Sequence, residues 1–410
     1  MVHADLRINA DRLHKSIADL ARIGATPAGG VTRLALTDED RAARHRLLDW
    51  ISDLGLPPQI DDLGNIWAVR PGRSERPPIL MGSHIDTVIQ GGRYDGALGV
   101  LAGLEVLRTL ADHKITTECP IGLVSWTNEE GVRFEPAMTS SGVIANRFTA
   151  EWVHDRLDRA GIRFGDELQR IGFAGSIDAR PEPGTYLELH IEQGPVLESL
   201  GLPVAIVDGI VGITWCDVTV VGQPDHAGPS PMHLRRDPLM AAAELILAVE
   251  QIALQRDATA VATVGRITAE ANVINTIPGN VRLSVDFRHQ NPAVLEGQIA
   301  LLHEAADRIA SRRQVAINID RFWTSEPTAF DPEIRAEIET AVGNLGLPKQ
   351  HLWSGAGHDA KYISEICPSA MIFIRSQGGL SHCEAEFSTP DDIEAGANLL
   401  LQTALAIAAG

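Results

Sequence analysis

The spacing of hydrophobic and polar residues along the chain predicts a mixed α/β protein. The apolar run at residues 79–81 predicts a buried strand, and the helical spacing of Leu98, Leu101 and Leu104 predicts a helix behind it. Further apolar runs predict buried strands at residues 121–126, 186–190 and 370–375. Amphipathic patterns predict helices at residues 8–22, 38–54, 333–345 and 391–408. In an open α/β sheet of this kind, ligands bind at the carboxyl ends of the strands.

A second pattern, from Gly212 onwards, predicts an inserted domain. Its elements follow the order strand, helix, strand, strand, helix, strand, which is the ferredoxin-like βαββαβ motif. The strands are expected at residues 213–221, 261–267, 281–288 and 315–323, and the helices at residues 237–254 and 295–310. The predicted domains are therefore the insert at residues 212–327 and a first domain in two parts, residues 1–211 and 328–410.

Composition and charge narrow the functional classes. The 410 residues exceed what one compact core usually holds, so two domains are expected. The net charge of −19 argues against nucleic-acid binding, which needs clustered Lys and Arg. The N-terminal stretch has no basic-then-apolar signal, no apolar run approaches a membrane span, and the four cysteines follow no paired spacing. We therefore expect a cytoplasmic protein that binds neither nucleic acid nor membrane.

Side chains that ligate metals follow the first predicted strand. His84 ends this strand, and Asp95 lies in the glycine-rich turn before the helix. Imidazole and carboxylate are ligands that divalent zinc and manganese prefer. Asp86, two residues after His84, could hold the second ring nitrogen of that histidine. A surface histidine with two turn acids is the alternative, and this stretch alone leaves both interpretations open.

Two more strand ends and one loop also contain side chains that can ligate metals. The second strand leads into Glu129 and Glu130, paired acids whose burial costs free energy unless a cation lies between them. The third ends in His190, which alone would be a core histidine, and a glycine-rich loop supplies His382. Together these residues suit two divalent ions bridged by one carboxylate, with Glu129 as general base. The candidate ligands are His84, Asp95, Glu130, His190 and His382.

The motifs around these residues resemble the M20 family of di-metal amidohydrolases. The resemblance is to the branch of N-carbamoyl-L-amino-acid hydrolases, β-ureidopropionases and allantoate amidohydrolases, and it covers nearly the whole chain. It implies a mixed-sheet catalytic domain of zinc-aminopeptidase type with an inserted ferredoxin-like domain for dimerisation and for closing the site. The matching motifs are GSHIDTV, GGRYDGALGVLAG, TNEEGVRF, ELHIEQGPVLE, GQPDHAGPSPM, NVINTIPG, DFRH, SGAGHDA and GLSHCEAEFS.

The resemblance also implies a role for each matching residue. One metal would bind His84 and His190, the other Glu130 and His382, with Asp95 shared and Glu129 as the general base. His226 matches a histidine that stabilises the tetrahedral oxyanion. Without the resemblance it could be a loop residue, and Arg288 a surface charge. The residues that match the substrate-carboxylate site are Asn275 and Arg288, aided by Gln193 and by Gly357 in the 355–357 loop.

We therefore predict a metal-dependent hydrolase that converts N-carbamoyl-L-amino acids to L-amino acid, ammonia and carbon dioxide. β-Ureidopropionase and allantoate amidohydrolase stay open as alternatives because they would use the same residues. A dipeptidase is disfavoured, since peptidases of the family usually have an acid at the positions of His190 and Gly96. A non-catalytic binding protein would need a broken ligand set. Cys383, beside His382, is not needed as a ligand.

The resemblance implies two divalent metal ions as cofactors, with zinc as the first choice and manganese, cobalt or nickel as alternatives. It also implies a homodimer joined through the inserted domain. In some relatives the residues that match His226 and Asn275 act on the partner's active site, and the sequence leaves open which arrangement applies here. The substrate is expected to be a small molecule that bears a carboxylate.

Overall fold

The computed structural model describes residues 3–409 of the chain, and the chain divides into two compact units. The first unit consists of Met1–Gly209 and Ala329–Gly410, and the second is Ile210–Thr328. Each unit has its own β-sheet and its own covering helices.

The strands range in length from two to ten residues. In chain order they are β1 (Gln59–Ile60), β2 (Ile66–Arg70), β3 (Ile79–His84), β4 (Ile121–Trp126), β5 (Thr185–Ile191), β6 (Val204–Ile210), β7 (Gly212–Val221), β8 (Asp225–His226), β9 (Val261–Thr263), β10 (Ile267–Ala269), β11 (Thr276–Ile277), β12 (Asn280–His289), β13 (Ala316–Ser325), β14 (Thr328–Ala329), β15 (His351–Ser354) and β16 (Ser369–Ile374).

The helices range from single turns to six turns. In chain order they are α1 (Ala10–Ala21), α2 (Asp38–Ser52), α3 (Ala97–Asp112), α4 (Thr139–Ile144), α5 (Ala150–His154), α6 (Phe164–Arg170), α7 (Val196–Leu200), α8 (Pro238–Arg256), α9 (Pro292–Arg313), α10 (Pro332–Asn344), α11 (Ala360–Ile363) and α12 (Pro390–Ala408). Short 3₁₀ turns occur at Ile177–Ala179, Met232–Leu234 and Gln377–Gly379.

A mixed sheet forms the centre of the first unit. Its strand order is β1-β2-β4-β3-β5-β16-β6-β14, and β15 pairs with β6 beside this path. The pairs β4–β3, β3–β5 and β5–β16 are parallel, whereas β2–β4 and β16–β6 are antiparallel. The carboxyl ends of the parallel strands β3, β4, β5 and β16 therefore lie along one side of the sheet, where α/β sheets bind ligands. The predicted α/β class with a mixed sheet is confirmed.

Burial explains why these strands occupy the centre. Every residue of β3, β4, β5 and β16 is buried, as expected for parallel strands covered on both faces. Helix α3 packs on β3 and β5 and buries Leu98, Leu101 and Leu104 completely. Glycine permits this close approach, because a Cβ at Gly99 would lie 2.5 Å from the carbonyl oxygen of Leu189. The packing fixes the segments at the strand ends.

The second unit contains an antiparallel sheet with two helices on one face. The strand order is β10-β12-β7-β13, and β9 also pairs with β12. Helices α8 and α9 begin at the N-caps Asp237 and Asn291, each followed by a proline that favours the first helical turn. Their apolar faces form one core with the sheet, which includes Val218, Leu245 and Leu302. Strands β8 and β11 form a separate two-stranded ribbon.

The strand predicted at residues 261–267 is in fact two short strands, so this prediction was wrong. Both β9 and β10 pair with β12, with Thr263 opposite Asp286 and Ile267 opposite Leu283. The stretch between these pairs is one residue longer on the β9–β10 side, which makes a β-bulge that contains Gly265. The sequence analysis also missed β6 and β15, whose apolar runs are short and interrupted.

Helix α8 has the length and apolar composition of a membrane span, although the sequence analysis predicted none. Its mean hydropathy over the best window is 1.3. One side of the helix is nevertheless buried in the core of the second unit, through residues such as Ala241, Leu245 and Val249. Core helices commonly combine these properties, so the length and composition of α8 are weak support for a membrane span.

Candidate metal centre and substrate-binding residues

Two histidines on neighbouring strands present the same ring nitrogen. His84, the last residue of β3, donates from Nδ1 to the carbonyl oxygen of Asp86 at 2.9 Å. His190 on β5 donates in the same way to the carbonyl oxygen of Ile191 at 2.9 Å. Because a carbonyl oxygen only accepts, each Nδ1 carries the ring proton. In the neutral ring each Nε2 therefore keeps its lone pair for a ligand, as metal-binding histidines require.

Asp95 lies between these histidines and His382. Its Oδ1 is 3.2 Å from Nε2 of His190 and 3.7 Å from Nε2 of His84. Its Oδ2 is 3.3 Å from Nε2 of His382, and that nitrogen is 3.5 Å from Oε2 of Glu130. Two groups of ligand atoms result, each within 4.8 Å, and Asp95 belongs to both. The groups are His84, Asp95 and His190, and Asp95, Glu130 and His382.

The chemistry of this donor set fits a pair of divalent cations. Burial and the surrounding carboxylates, including Asp359 and Asp95, raise the pKa of Glu129 well above its ordinary value. Burial and the same kind of repulsion, from Asp95 first, raise the pKa of Glu130. Oε1 of Glu130 is also buried without a hydrogen-bond partner in the described part of the chain. Positive charge among these groups would offset the cost of ionising them.

A third group of ligand-type side chains suits a metal less well. It consists of Glu188, His190 and His358. The carboxylate of Glu188 already accepts hydrogen bonds from Ser83, Tyr186 and the backbone of Ala360, at 2.7–3.1 Å. Nε2 of His358 lies 2.9 Å from the hydroxyl of Ser354. Because Glu188 and His358 already have these partners, we interpret the group as a buried hydrogen-bond network next to the candidate metal centre.

Asp86 has a different role from the one expected. Its carboxylate lies 3.8 Å from Nδ1 of His84, and its backbone carbonyl makes the hydrogen bond to that ring instead. The carboxylate accepts from the backbone N–H groups of Glu129 and Glu130, at 3.2 and 3.3 Å. Burial raises the pKa of Asp86 to about 7. Asp86 therefore orients the backbone that carries the candidate base and one candidate ligand.

Glu129 lies beside the ligand groups without belonging to either. Its Oε2 is 3.5 Å from Nε2 of His84, and the side chain is buried. The turn that positions it contains Asn128 at φ 60° and Gly131 at φ 65°, left-handed conformations that Asn and Gly adopt most readily. The Asn128 side chain secures this turn by donating to the carbonyl oxygen of Phe134 at 2.7 Å. The arrangement leaves a carboxylate next to the centre that is available for proton transfer.

The predicted residues Gln193 and Gly357 also lie in the first unit. Nε2 of Gln193 donates to Oδ2 of Asp95 at 2.8 Å, and its Oε1 is buried without a partner among the described residues. A Cβ at Gly357 would lie 3.0 Å from the methyl group of Met138. At Gly96, a Cβ would lie 2.3 Å from the ring of His84, so an acid does not fit there.

His226 and Asn275 are neighbours in the ribbon of the second unit. His226 pairs with Thr276 between β8 and β11, and the carbonyl oxygen of Asn275 accepts from the N–H of Ala227 at 2.9 Å. Nδ1 of His226 accepts from the backbone N–H of Gly228 at 3.0 Å. An N–H only donates, so this Nδ1 is unprotonated and Nε2 carries the ring proton. His226 therefore presents an N–H donor, the group that stabilises an oxyanion.

Arg288 lies on β12 of the second unit and is held by Asp286. Its Nε and Nη2 donate to the Asp286 carboxylate, with the shortest distance 2.7 Å. The Arg288 side chain is 32% exposed, which is far more than the buried ligands of the first unit. A guanidinium fixed by one carboxylate is orientated to bind another.

Sequence reasoning missed several residues around the centre. Ser381 donates from its hydroxyl towards Oδ2 of Asp95 at 3.0 Å, and Glu386 accepts from the backbone of Asp95 at 3.1 Å. Asp359 is fully buried and hydrogen-bonded to Ser141 at 2.5 Å. Both Ser381 and Glu386 belong to the motif GLSHCEAEFS, whose spacing around His382 was the available signal.

Comparison with known proteins identifies the family to which this chain belongs. The sequence model of peptidase family M20/M25/M40 matches residues 80–406. An N-carbamoyl-L-amino-acid amidohydrolase of Rhizobium meliloti is 39% identical over 402 residues, 97% of this chain and 96% of that protein. An allantoate amidohydrolase of Bacillus subtilis (strain 168) is 36% identical over 389 residues, 93% of each protein. This chain belongs to peptidase family M20/M25/M40, and the resemblance inferred from its motifs is confirmed.

A solved structure extends this result to the fold. The amidase of the hydantoinase/carbamoylase family from Burkholderia multivorans superposes with a TM-score of 0.96 at 43% sequence identity. The match covers 99% of both chains. The fold of the whole chain is therefore that of a hydantoinase/carbamoylase family amidase.

Proposed function

We propose that this protein hydrolyses the carbamoyl C–N bond of N-carbamoyl-L-amino acids, with L-amino acid, ammonia and carbon dioxide as products. The observation that carries the proposal is the carboxylate of Asp95, which turns one oxygen to each of two ligand groups beside the buried Glu129. The named activity of the Rhizobium meliloti relative supports the choice of substrate.

The proposed cofactors are two divalent ions, zinc first, with manganese, cobalt or nickel as alternatives. One would be held by His84 and His190, the other by Glu130 and His382, with Asp95 between them. When bound, such ions polarise the substrate carbonyl and make water a nucleophile at neutral pH.

Glu129 is the proposed general base. It takes a proton from the attacking water and delivers it to the leaving nitrogen, which accounts for both proton transfers with one carboxylate. Its burial keeps bulk water from competing for that proton. Asp86 supports this role because it holds the backbone N–H of Glu129 in place.

Residues of the second unit are proposed to bind the substrate. The Nε2–H of His226 would stabilise the oxyanion, and Asn275 and Arg288 would bind the carboxylate, with Gln193 and Gly357 beside it. We propose that the second unit is a ferredoxin-like domain, inserted at residues 212–327, that closes on the substrate and joins two subunits. Its antiparallel sheet with two helices on one face supports this assignment. We expect the homodimer to be cytoplasmic.

Substrate comparison tests the proposal directly. Metal-reconstituted protein is offered N-carbamoyl-L-methionine, N-carbamoyl-β-alanine, allantoate and a dipeptide, and ammonia or amino-acid release is measured. Preference for the first substrate supports the proposal. Preference for allantoate would favour the second candidate function, for which the Bacillus subtilis relative is the reason. Cleavage of the dipeptide alone would contradict both, and a protein that binds metal without turnover would be a binding protein.

A mixed dimer determines which subunit supplies His226. Glu129→Gln and His226→Ala chains, each with a different tag, are co-expressed and the heterodimer is purified. If His226 acts on the partner's site, one of the two sites in this heterodimer is intact and about half of the wild-type activity returns. If it acts within its own subunit, both sites carry a defect and the heterodimer stays inactive.

A further inference from the structure

Glu386 is a buried carboxylate that the proposed reaction does not use. It follows His382 by four residues and is 4% exposed. Its Oε1 accepts from the backbone N–H groups of Tyr94 and Asp95, at 2.9 and 3.1 Å. Its Oε2 lies 3.0 Å from the hydroxyl of Ser381. One side chain therefore links the loop that carries Asp95 to the loop that carries His382.

The loop before Asp95 is shaped around this carboxylate. A Cβ at Gly92 would lie 1.9 Å from Oε1 of Glu386 and 2.5 Å from its Cβ. No side chain other than hydrogen fits there without moving the glutamate. The ring of Tyr94 packs edge-on against Phe387, the residue after Glu386, with ring centres 6.1 Å apart. The two loops are thus packed as well as hydrogen-bonded.

Asp95 is connected to Glu386 by two routes. The first is the direct hydrogen bond from its own N–H. The second passes through Ser381, whose hydroxyl lies 3.0 Å from Oδ2 of Asp95 and 3.0 Å from Oε2 of Glu386. The first route fixes the Asp95 backbone. The second acts on Oδ2, the oxygen that faces His382, so together they bear on the position of the shared ligand between its two groups.

Burying the Glu386 carboxylate beside Asp95 costs free energy. Glu386 adds a further buried carboxylate close to Asp95, and burial of an anion near another anion is unfavourable. Charge-assisted hydrogen bonds from two successive N–H groups offset part of that cost. These two bonds and the contact with Ser381 involve Asp95 itself or residues adjacent to the candidate ligands Asp95 and His382.

We propose that Glu386 is a positioning residue that holds Asp95 between the two ligand groups and thereby sets the affinity for the metal pair. This inference rests on the proposed function, since it takes Asp95 as the shared ligand. Outer partners of metal ligands commonly contribute 10–100-fold to metal affinity.

Glu384 provides a matched control two residues away. It lies in the same loop and is half-buried, but among the described residues its carboxylate accepts from the hydroxyl of Thr26 and not from Asp95. The Glu384 side chain packs on Gly30, where a Cβ would lie 2.7 Å from Cγ of Glu384. Removing Glu384 therefore perturbs the same loop without touching the hydrogen bonds to Asp95.

The test measures metal affinity, not only activity. Wild type, Glu386→Ala, Glu386→Gln and Glu384→Ala are titrated with Zn²⁺ against a chromogenic chelator, and folding is followed by circular dichroism and melting temperature. Glu386→Ala should bind Zn²⁺ about 10–100-fold more weakly, while Glu384→Ala should keep the wild-type affinity. Glu386→Gln should lie within a few-fold of wild type, because its amide oxygen can still accept from both N–H groups.

Gly92→Ala is the second variant in case Glu386→Ala does not fold. It places a methyl group against the Glu386 carboxylate and leaves every candidate ligand in the chain, so it should also weaken Zn²⁺ binding. Wild-type affinity in Glu386→Ala, or in Gly92→Ala if the former does not fold, would overturn the inference. A loss of affinity in Glu384→Ala equal to that in Glu386→Ala would do the same.

The outcomes also separate this inference from the proposed function. If the wild type binds and uses Zn²⁺ but Glu386→Ala lowers only the melting temperature, the role is structural and only the positioning inference fails. If the wild type binds no divalent ion at all, the proposed metal centre fails and the inference fails with it.

Discussion

The candidate metal centre of the first unit and the candidate substrate-binding residues of the second differ in how completely the fold encloses them. His84, His190 and Asp95 are 2%, 1% and 5% exposed, respectively. His226 and Asn275 are exposed, and both are held mainly by backbone hydrogen bonds of a short ribbon. Except at His382, whose side chain is 52% exposed, the centre is thus assembled by buried side-chain contacts, whereas the second group is assembled by local backbone geometry.

This difference indicates which properties each region should control. Buried ligands with fixed tautomers and buried partners suit chemistry that depends on sub-ångström placement. Exposed donors on a short ribbon suit recognition of a group that arrives from solvent, since water satisfies their hydrogen bonds until the substrate binds. Substitutions in the first region should therefore affect turnover and metal content, and substitutions in the second should affect the Michaelis constant.

The largest expected effect is at Glu129. Glu129→Gln should keep both metals and lower kcat by about 10²–10⁴-fold, because the amide cannot accept the proton from water. Steady-state kinetics with metal analysis on the same sample tests this. Largely intact turnover would remove Glu129 as the base, and loss of metal would instead make it a ligand.

Arg288 should show the opposite pattern. Arg288→Ala should raise the Michaelis constant for a carboxylate substrate about 10–100-fold, the cost of a charge-assisted hydrogen bond, without changing metal content. Arg266→Ala is the control, because Arg266 also pairs with an aspartate of the same unit, Asp217, at 2.6 Å. An unchanged Michaelis constant in Arg288→Ala, or an equal rise in both variants, would argue against the carboxylate site.

Removing the metal should lower the melting temperature more at high pH than at low pH. In the metal-free fold, burial raises the pKa of Asp86 to about 7, and the Asp95 carboxylate raises that of His190 to about 9 against the opposing effect of burial. Both groups stabilise the fold when protonated, and this contribution disappears as pH rises through those values. The pKa of His84 is lowered to about 4, so its own contribution is complete above pH of about 6.5.

Metal binding, in contrast, strengthens as its ligands lose protons. The difference in melting temperature between Zn²⁺-loaded and chelator-treated protein should therefore grow between pH 6.5 and 9, by about a few degrees. Differential scanning calorimetry at four or five pH values measures it. A constant or shrinking difference would contradict the assignment of His190 and the acids to one metal centre.

The smallest effect is expected at Asn275. Asn275→Ala removes one neutral hydrogen bond and should raise the Michaelis constant about 2–10-fold with kcat little changed. Asn318→Ala, an exposed asparagine on β13 of the same unit, serves as the control. A large fall in kcat for Asn275→Ala would mean that the exposed ribbon contributes to the chemical step, and the contrast between the two regions would disappear.

The sequence by itself determined the class of fold, the family and a short set of candidate residues. Long apolar runs identified β3, β4, β5 and β16, since parallel strands buried on both faces are almost continuously hydrophobic. Short strands such as β15, and the bulge that divides β9 from β10, carried too few residues for a pattern. The candidate site residues stay a prediction whose geometry can now be tested.

Only the tertiary structure decided how the candidates are orientated and supported. The ring proton of His84 is fixed by the carbonyl of Asp86, a backbone contact that no side-chain pattern encodes. The carboxylates of Asp86 and Glu386 hold the backbone of residues far away in sequence, Glu129 and Asp95. Such contacts depend on which strand ends become neighbours, and this is set by sheet order and packing of the whole unit rather than by any local stretch.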